Sequence, residues 1–295
     1  MKAYIKEFEV YLKEIKKSSS NTLESYVRDI SQFSVFCENL KLRTSSSVKP
    51  DHITQYIDIL LKNGKSTSTT TRVLASLRCY FGFLVDQGIC KESPVKGIKQ
   101  NKADKKLPEI LTSKEINLLL SQPDVGELKG CRDKAILELL YATGIKVSEL
   151  INIKITDLNI QIGILRLNNG KQERIVPIYP AAIKALSNYC LNVRGAVVAD
   201  SETLELFTNM NGQQLTRQGL WKIIKYYADK ANIKKDITPH TIRHSFAAHL
   251  LENGAPLKDI QEILGHSDLS STQVYAQMMR NRYAQSYKKY HPMAR

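Results

Sequence analysis

The sequence predicts a mainly α-helical chain with a small β component, divided into two domains. Three observations carry this. Residues 1–99 hold four stretches with apolar residues at helical spacing. Residues 93–108, SPVKGIKQNKADKKLP, combine two prolines, one glycine and five lysines with little apolar content, which is linker composition. In the second half one Asn-Gly turn, flanked by two short apolar runs, interrupts otherwise helical patterns. A chain of 295 residues is long enough for two domains with a core each. The boundaries expected are 1–93 and 109–295, joined by 94–108.

The first helix is expected from about Ala3 to Lys16, with Ile5, Phe8, Leu12 and Ile15 on one face. Ser18-Ser19-Ser20 breaks it, and Asn21 or Thr22 is expected to cap a second helix carrying Leu23, Tyr26, Val27, Ile30 and Phe33. Pro50-Asp51 opens a third, with Ile53, Tyr56, Ile57 and Leu60, and Gly64 ends it. A fourth, from about Ser68 to Gln87, carries Val73, Leu74, Leu77, Phe81 and Leu84, and Gly88 ends it. Its start, STSTTTR, sets hydroxyls beside Arg72. Such a start either caps itself or grips a nucleic-acid phosphate.

The second domain opens on Thr112-Ser113-Lys114-Glu115, a capping box. Arg132 to Ala142 is amphipathic through Ile136, Leu139 and Leu140. Ile162–Leu167 and Arg174–Ile178 read as a hairpin around Asn168-Asn169-Gly170-Lys171. Pro180 to Leu191 is a further helix, and Arg194 to Thr203 a loop. Leu215-Thr216-Arg217 then leads a helix with Trp221, Ile224 and Tyr227, whose exposed start offers Arg217 and Gln218 as candidate readers of a DNA groove.

Composition sets the class. Hydrophobic residues at 42% and charged residues at 24% describe a soluble globular chain. No run reaches the roughly 18 apolar residues of a membrane span, and the charged N-terminus lacks a signal-peptide core, so a cytoplasmic setting is expected. Five cysteines, at 37, 79, 90, 131 and 190, include no C-x-x-C. Neither a disulfide framework nor a zinc site is therefore indicated. The net charge is +14, split +6 over residues 1–100 and +8 over the rest. Two basic lobes suit a polyanion held between them, with Lys105 and Lys106 of the linker as candidate contacts.

The chain is most informative at TPHTIRHSFAAHLLENGAPLKDIQEILGHSDLSSTQVY, residues 238–275. Thr238 is a candidate N-cap and Pro239 suits the first helical position. His240 and Arg243 follow three apart, near a helix end that favours anions. Phe246, Leu250 and Leu251 are expected on the buried side, with Gly254 ending the helix. A second helix, Leu257 to Leu264, closes at Gly265 and leads into His266, and Tyr275 comes nine residues later. Arginine answers phosphoryl charge with a planar fork, histidine donates a hydrogen bond or moves a proton, and tyrosine can hold a phosphate covalently. Together these types suit phosphoryl transfer without a metal.

This stretch resembles the C-terminal signature of tyrosine site-specific recombinases (the phage integrase family), in particular the compact Xer type. The matching residues are H-T-I-R-H at 240–244, L-G-H at 264–266 and T-x-x-Y at 272–275. The resemblance implies that Arg243, His240 and His266 bind the scissile phosphate and that Tyr275 attacks it, giving a 3′-phosphotyrosyl DNA intermediate. It implies an all-α, four-helix, SAM-like core-binding domain followed by a mixed α/β catalytic domain. The implied partners are a double-stranded core site with two inverted half-sites, a homo- or heterotetramer with a second recombinase, and a translocase as candidate activator. The implied reaction exchanges strands through a Holliday junction, in chromosome or plasmid dimer resolution or in mobile-element integration. No cofactor is implied, and the sequence shows neither a P-loop nor a carboxylate cluster. The terminal segment, with Tyr283 and Tyr287 four apart, is implied to pack on a neighbouring subunit.

Two positions depart from the family pattern. In YATGIKVSEL the family's first catalytic arginine is Lys146, while Glu149 matches the acidic residue that follows. Lysine keeps one charge and loses the fork, and losing one anion-stabilising donor costs roughly two to three powers of ten in rate. In the hairpin Asn169 stands where the family's leaving-group lysine is expected, with Lys171 two residues on as candidate general acid. A weakened, DNA-binding chain of the same fold, an engineered slow variant and a relaxing enzyme of the topoisomerase IB kind remain alternatives.

Overall fold

The computed structural model describes residues 4–42, 44–98, 108–168, 173–198 and 203–265. They form two compact units, residues 1–106 and 107–295. The first unit holds α1 (Ile5–Val10), α2 (Ser20–Asn39), α3 (Pro50–Lys62) and α4 (Thr67–Asp86). The second holds α5 (Ser113–Leu120), α6 (Leu128–Thr143), α7 (Val147–Leu150), β1 (Leu158–Asn159), β2 (Ile164–Asn168), β3 (Glu173–Pro177), α8 (Pro180–Asn192), α9 (Arg194–Val197), α10 (Arg217–Lys230), α11 (Pro239–Glu252) and α12 (Leu257–Leu264). The chain is therefore mainly helical with one small sheet, as the sequence predicts.

The first helix is shorter than expected. After α1, Tyr11–Ile15 forms a π-helical turn, in which Lys16 N–H donates to Tyr11 O at 3.0 Å. The wider turn keeps Phe8 and Leu12 buried but swings Ile15 off their face, leaving it 70% exposed. Ser19, not Asn21 or Thr22, caps α2, its hydroxyl accepting from Thr22 N–H at 3.3 Å. Ser66 caps α4 in the same way. Aromatic contacts knit the core: Phe8 meets Tyr80 edge-on at 5.1 Å, and Phe33 meets Tyr56 at 5.1 Å. The start of the expected linker belongs to this unit. Val95 is buried in its core, Ile98 packs against it, and Ile98 O accepts from Arg78 Nη2 at 2.7 Å.

In the second unit α6 runs through the core, its residues from Ala135 to Leu140 all buried, and packs against α8 and α11. Thr112 and Glu115 make the expected capping box ahead of α5, at 3.2 and 2.7 Å. The sheet is antiparallel in the order β1-β2-β3, with Leu165 paired to Val176 and Leu167 to Arg174. Alternation turns Leu165, Leu167 and Val176 inward. Arg194–Val197, expected as loop, is a short helix held by Arg194 Nη2 on Thr203 O and Glu205 O. Trp221 is not a core residue with Ile224 and Tyr227 but 47% exposed, since it sits at the edge of the face that Leu220, Ile223, Ile224, Tyr227 and Ala228 bury. Leu250 and Leu251 are half-buried and leave the inner face of α11 to Phe246 and Ala247.

Candidate active site

Four chain segments converge on Arg243. Thr238 caps α11, its hydroxyl accepting from Thr241 N–H at 3.2 Å, with Pro239 at the first helical position. One turn in, Arg243 is buried and points back across the unit. Its Nη1 donates to Gly144 O at 2.5 Å and its Nη2 to Leu264 O at 2.8 Å. Those carbonyls close the C-terminal ends of α6 and α12, where unpaired carbonyl groups gather negative potential and a cation is favoured. Gly144 takes φ +57° there, and a Cβ on it would sit 2.4 Å from Phe246 Cδ1. The guanidinium is thus fixed from two sides before any substrate arrives.

Lys146 lies two residues beyond Gly144, at the cap position of α7. Its backbone N–H donates to Glu149 Oε2 at 2.8 Å. Glu149 in turn receives Arg174 of β3 in bidentate fashion, Nη1 to Oε1 at 2.8 Å and Nη2 to Oε2 at 2.9 Å. Arg174 Nε also donates to Ile263 O at 2.8 Å, so the pair ties the hairpin to α12. Burial pushes the Glu149 carboxyl upward, but the hydrogen bonds from Arg174 and from the Lys146 backbone outweigh it and hold the pKa below the usual range. The Lys146 ammonium is half-buried. Burial depresses its pKa, Arg243 and Arg174 add to that, and Glu149 opposes it.

The expected pair on α11 divides. Arg243 is buried and His240 is exposed at the helix start, because Arg243 turns its long side chain under the helix to reach the two carbonyls. His244, one residue further, is half-buried with its ring 6.5 Å from that of His240. Burial, and after it the neighbouring His240 and Arg243, press its pKa down to about 4. The sequence pattern did not assign His244 a part. Nor did it assign one to Arg174, whose signal was its fixed place between Glu173 and Val176-Pro177. His266, Tyr275, Lys171 and Asn169 lie outside the described residues, as do Lys105 and Lys106.

The candidate DNA contacts differ in kind. Arg72 is paired within its own unit: Nη1 binds the buried Asp29 carboxylate and reaches Ser25 O at 3.4 Å, while Ser76 Oγ donates to the same carboxylate at 3.2 Å. Its side chain remains 38% exposed. Arg217 and Gln218 are exposed on the first turn of α10, behind the Thr216 cap. Trp221 and Lys222 are exposed on the next turn, with Lys225 Nζ 5.3 Å from the Trp221 ring. Among the described residues no three His, Cys, Asp or Glu side chains form a metal-holding group, and no described helix is long and apolar enough to cross a membrane.

Comparison with known proteins accounts for this arrangement. Residues 5–88 match the phage integrase N-terminal SAM-like domain, and residues 109–282 match the phage integrase family. The chain is 39% identical to the tyrosine recombinase XerD of Staphylococcus haemolyticus, and 38% identical to that of Staphylococcus aureus, over the full length of both proteins in each case. Among solved structures it is similar to XerH site-specific recombinase bound to its palindromic difH substrate. That match has a TM-score of 0.77 at 20% identity and covers 96% of this chain and 84% of the other. A lambda integrase dimer bound to a core site gives a TM-score of 0.74 at 16% identity, covering 93% and 94%. With both halves matched and relatives alike from end to end, the chain belongs to the phage integrase family as a Xer-type tyrosine recombinase, an enzyme of site-specific DNA recombination.

Proposed function

We propose that this chain cuts and rejoins a duplex core site by transesterification, with Tyr275 as nucleophile and Arg243, His240, His266 and Lys146 around the scissile phosphate. One observation carries the reading. Arg243 is clamped on two helix-end carbonyls beside Lys146, and the Arg174–Glu149 pair braces the same corner. Cations fixed in advance suit a reaction whose charge grows on the non-bridging oxygens as the phosphorus becomes five-coordinate. The Tyr275 oxygen forms the new bond to phosphorus, the bond to the 5′ oxygen breaks, and a proton goes to that oxygen. Lys171 is the candidate donor from the hairpin. The phosphotyrosine preserves the bond energy, so the reverse attack by a 5′ hydroxyl reseals a strand without external energy.

The DNA would be gripped by residues 1–93 and 109–295 together, through the linker from 94. The hydroxyl-rich starts of α2 and α4 and the exposed Arg217 and Gln218 support this reading. XerH on difH and lambda integrase on a core site are relatives of the same fold held on DNA. A complete exchange on two duplexes calls for four subunits, from this chain alone or with a second recombinase, in a cytoplasmic setting. A groove lined by Tyr141, Val176, Ile178, Tyr179, Phe246 and Ile263 supports a seat for an apolar helix of a neighbouring copy.

The test uses a nicked suicide duplex bearing the core site that this chain selects from a randomised pool. The parent should form a covalent protein–DNA band on a denaturing gel and Tyr275→Phe should form none. DNA binding without a covalent band in the parent or in Lys146→Arg would leave a binding protein and end the catalytic reading.

A further inference from the structure

Lys146 differs from the other cations of its corner in one chemical respect: it can lose its proton. Arg243 and Arg174 keep theirs across any working pH. The acid beside Lys146 is committed elsewhere. Both oxygens of Glu149 take the Arg174 guanidinium, and what Lys146 itself gives that carboxylate is its backbone N–H. Among the described residues the remaining titratable groups of the corner are His240 and His244 on α11. His244, pressed down to about 4, is neutral at and above neutral pH. Among the described residues two guanidiniums and one ammonium therefore stand against a single carboxylate. Burial, Arg243 and Arg174 together hold the Lys146 ammonium below the ordinary lysine range.

We propose that capture of the DNA phosphodiester by this chain is coupled to protonation of Lys146, so that a proton enters the site together with the phosphate. The proposal rests on the reading of Lys146 as a phosphate-holding residue. A neutral amine turns a lone pair toward the phosphate oxygens and is repelled, whereas the ammonium donates to them. The bound phosphodiester adds its negative charge to the partial compensation that Glu149 gives, and so raises the proton affinity of Lys146 above its value in the free chain. Between those two values the free chain holds an amine and the complex an ammonium. One proton then moves from buffer to Nζ on binding, with no other bond changed. An arginine at this position needs no such step.

The sign follows from the depressed value in the free chain. Below it the ammonium is already formed and binding takes up no proton at Lys146. Above it uptake climbs toward one proton. Under subsaturating DNA the cleavage rate then falls about tenfold per pH unit, as for any reaction needing one protonated group.

The experiment has two readouts on the same selected core-site duplex. Parent and Lys146→Arg, both carrying Tyr275→Phe, are titrated with DNA by calorimetry in buffers of unlike ionisation enthalpy from pH 7 to 9.5. The parent should take up more protons, the difference growing with pH toward one. With Tyr275 intact, the rate of covalent complex formation in Lys146→Arg relative to the parent should rise toward tenfold per pH unit at the alkaline end. Lys146→Gln should give a slow rate that the parent approaches as pH rises. Equal proton uptake by the two chains, or a rate ratio flat from pH 7 to 9.5, would overturn the coupling while leaving the cleavage reading intact. If neither Tyr275 chain formed a covalent band at any pH, the cleavage reading itself would fall, and the coupling with it.

Discussion

Replacing Glu149 with glutamine tests whether the Arg174–Glu149 pair is the brace of the corner that holds Lys146. Both side chains are more than nine-tenths buried, at 8% and 9% exposure. The carboxylate accepts two hydrogen bonds from Arg174 and one from Lys146 N–H. Glutamine keeps one acceptor oxygen and turns an NH₂ toward the guanidinium, so Arg174 is left buried with half its partner. Breaking one side of a buried pair costs about 3–5 kcal/mol, and the retained oxygen places the expectation at the low end, about 3 kcal/mol. The chain has a single tryptophan, Trp221, on α10 of the second unit. Its fluorescence during urea unfolding therefore follows that unit, which matters because two-unit chains rarely unfold in one step.

The pair also fixes a pH signature. The Glu149 carboxyl titrates below its ordinary 4.5 in the folded chain. A depressed acid contributes its stability above the unfolded value and loses it as pH falls through the folded one. The gap between parent and Glu149→Gln should accordingly be full at pH 7 and close as pH drops below 4.5. Removing both partners, Glu149→Gln with Arg174→Met, should restore about 2 kcal/mol relative to the sum of the single changes, since no unpaired charge remains. A loss under 1 kcal/mol in the single variant, a gap that does not narrow as pH falls below 4.5, or strict additivity would refute the brace.

Three further outcomes are expected. Arg72→Ala should lower the stability of the first unit by about 1–3 kcal/mol, because Asp29 is left with Ser76 alone; circular dichroism with urea reads this, and an unchanged midpoint would make Arg72 a DNA contact only. Arg217→Ala and Gln218→Ala should leave urea midpoints within about 0.5 kcal/mol. Each should weaken binding to the selected site by about 1–3 kcal/mol, against little change on random duplex, which competition binding measures. His244 titrates near 4 in the folded chain against 6.5 unfolded. This lowered histidine contributes stability above pH 6.5 that is lost as pH falls toward 4, by at most about 3 kcal/mol. Parent and His244→Gln should therefore converge in Trp221-monitored stability across that window.

What the sequence made legible divides along physical lines. Local rules located α3, α4, α5, the hairpin, α8, α11 and α12, because Pro50, Ser66, Thr112, Pro180, Thr238 and Gly265 act on their own backbone neighbours. The π-helical turn at Tyr11–Ile15 was not legible: Ile15 continues the apolar spacing, and only packing against α4 decides that it faces outward. Trp221 misled for the converse reason, since a large aromatic at helical spacing reads as core whichever side faces out. In the candidate site, residue types and spacing pointed to His240 and Arg243, and the family resemblance to Lys146. The partners Gly144 O and Leu264 O lie 99 and 21 residues from Arg243, and Arg174 lies 25 residues from Glu149, distances over which no local pattern runs.

The division explains how a lysine can occupy the corner. Arg243 takes its geometry from two backbone carbonyls, and the end of α7 takes its geometry from Glu149 and Arg174. The side chain of Lys146 holds none of these segments in place; only its backbone N–H does. Exchanging arginine for lysine there removes a planar fork of donors without loosening the scaffold around it. Position 146 is thus a point where the chemistry of the site can be retuned at little cost in stability. The same exchange at 174 would remove one arm of the bidentate pair and release the hairpin from α12. Positions 146 and 174 therefore carry opposite tolerances, because the side chain of one holds no segment in place and the guanidinium of the other holds the hairpin to α12.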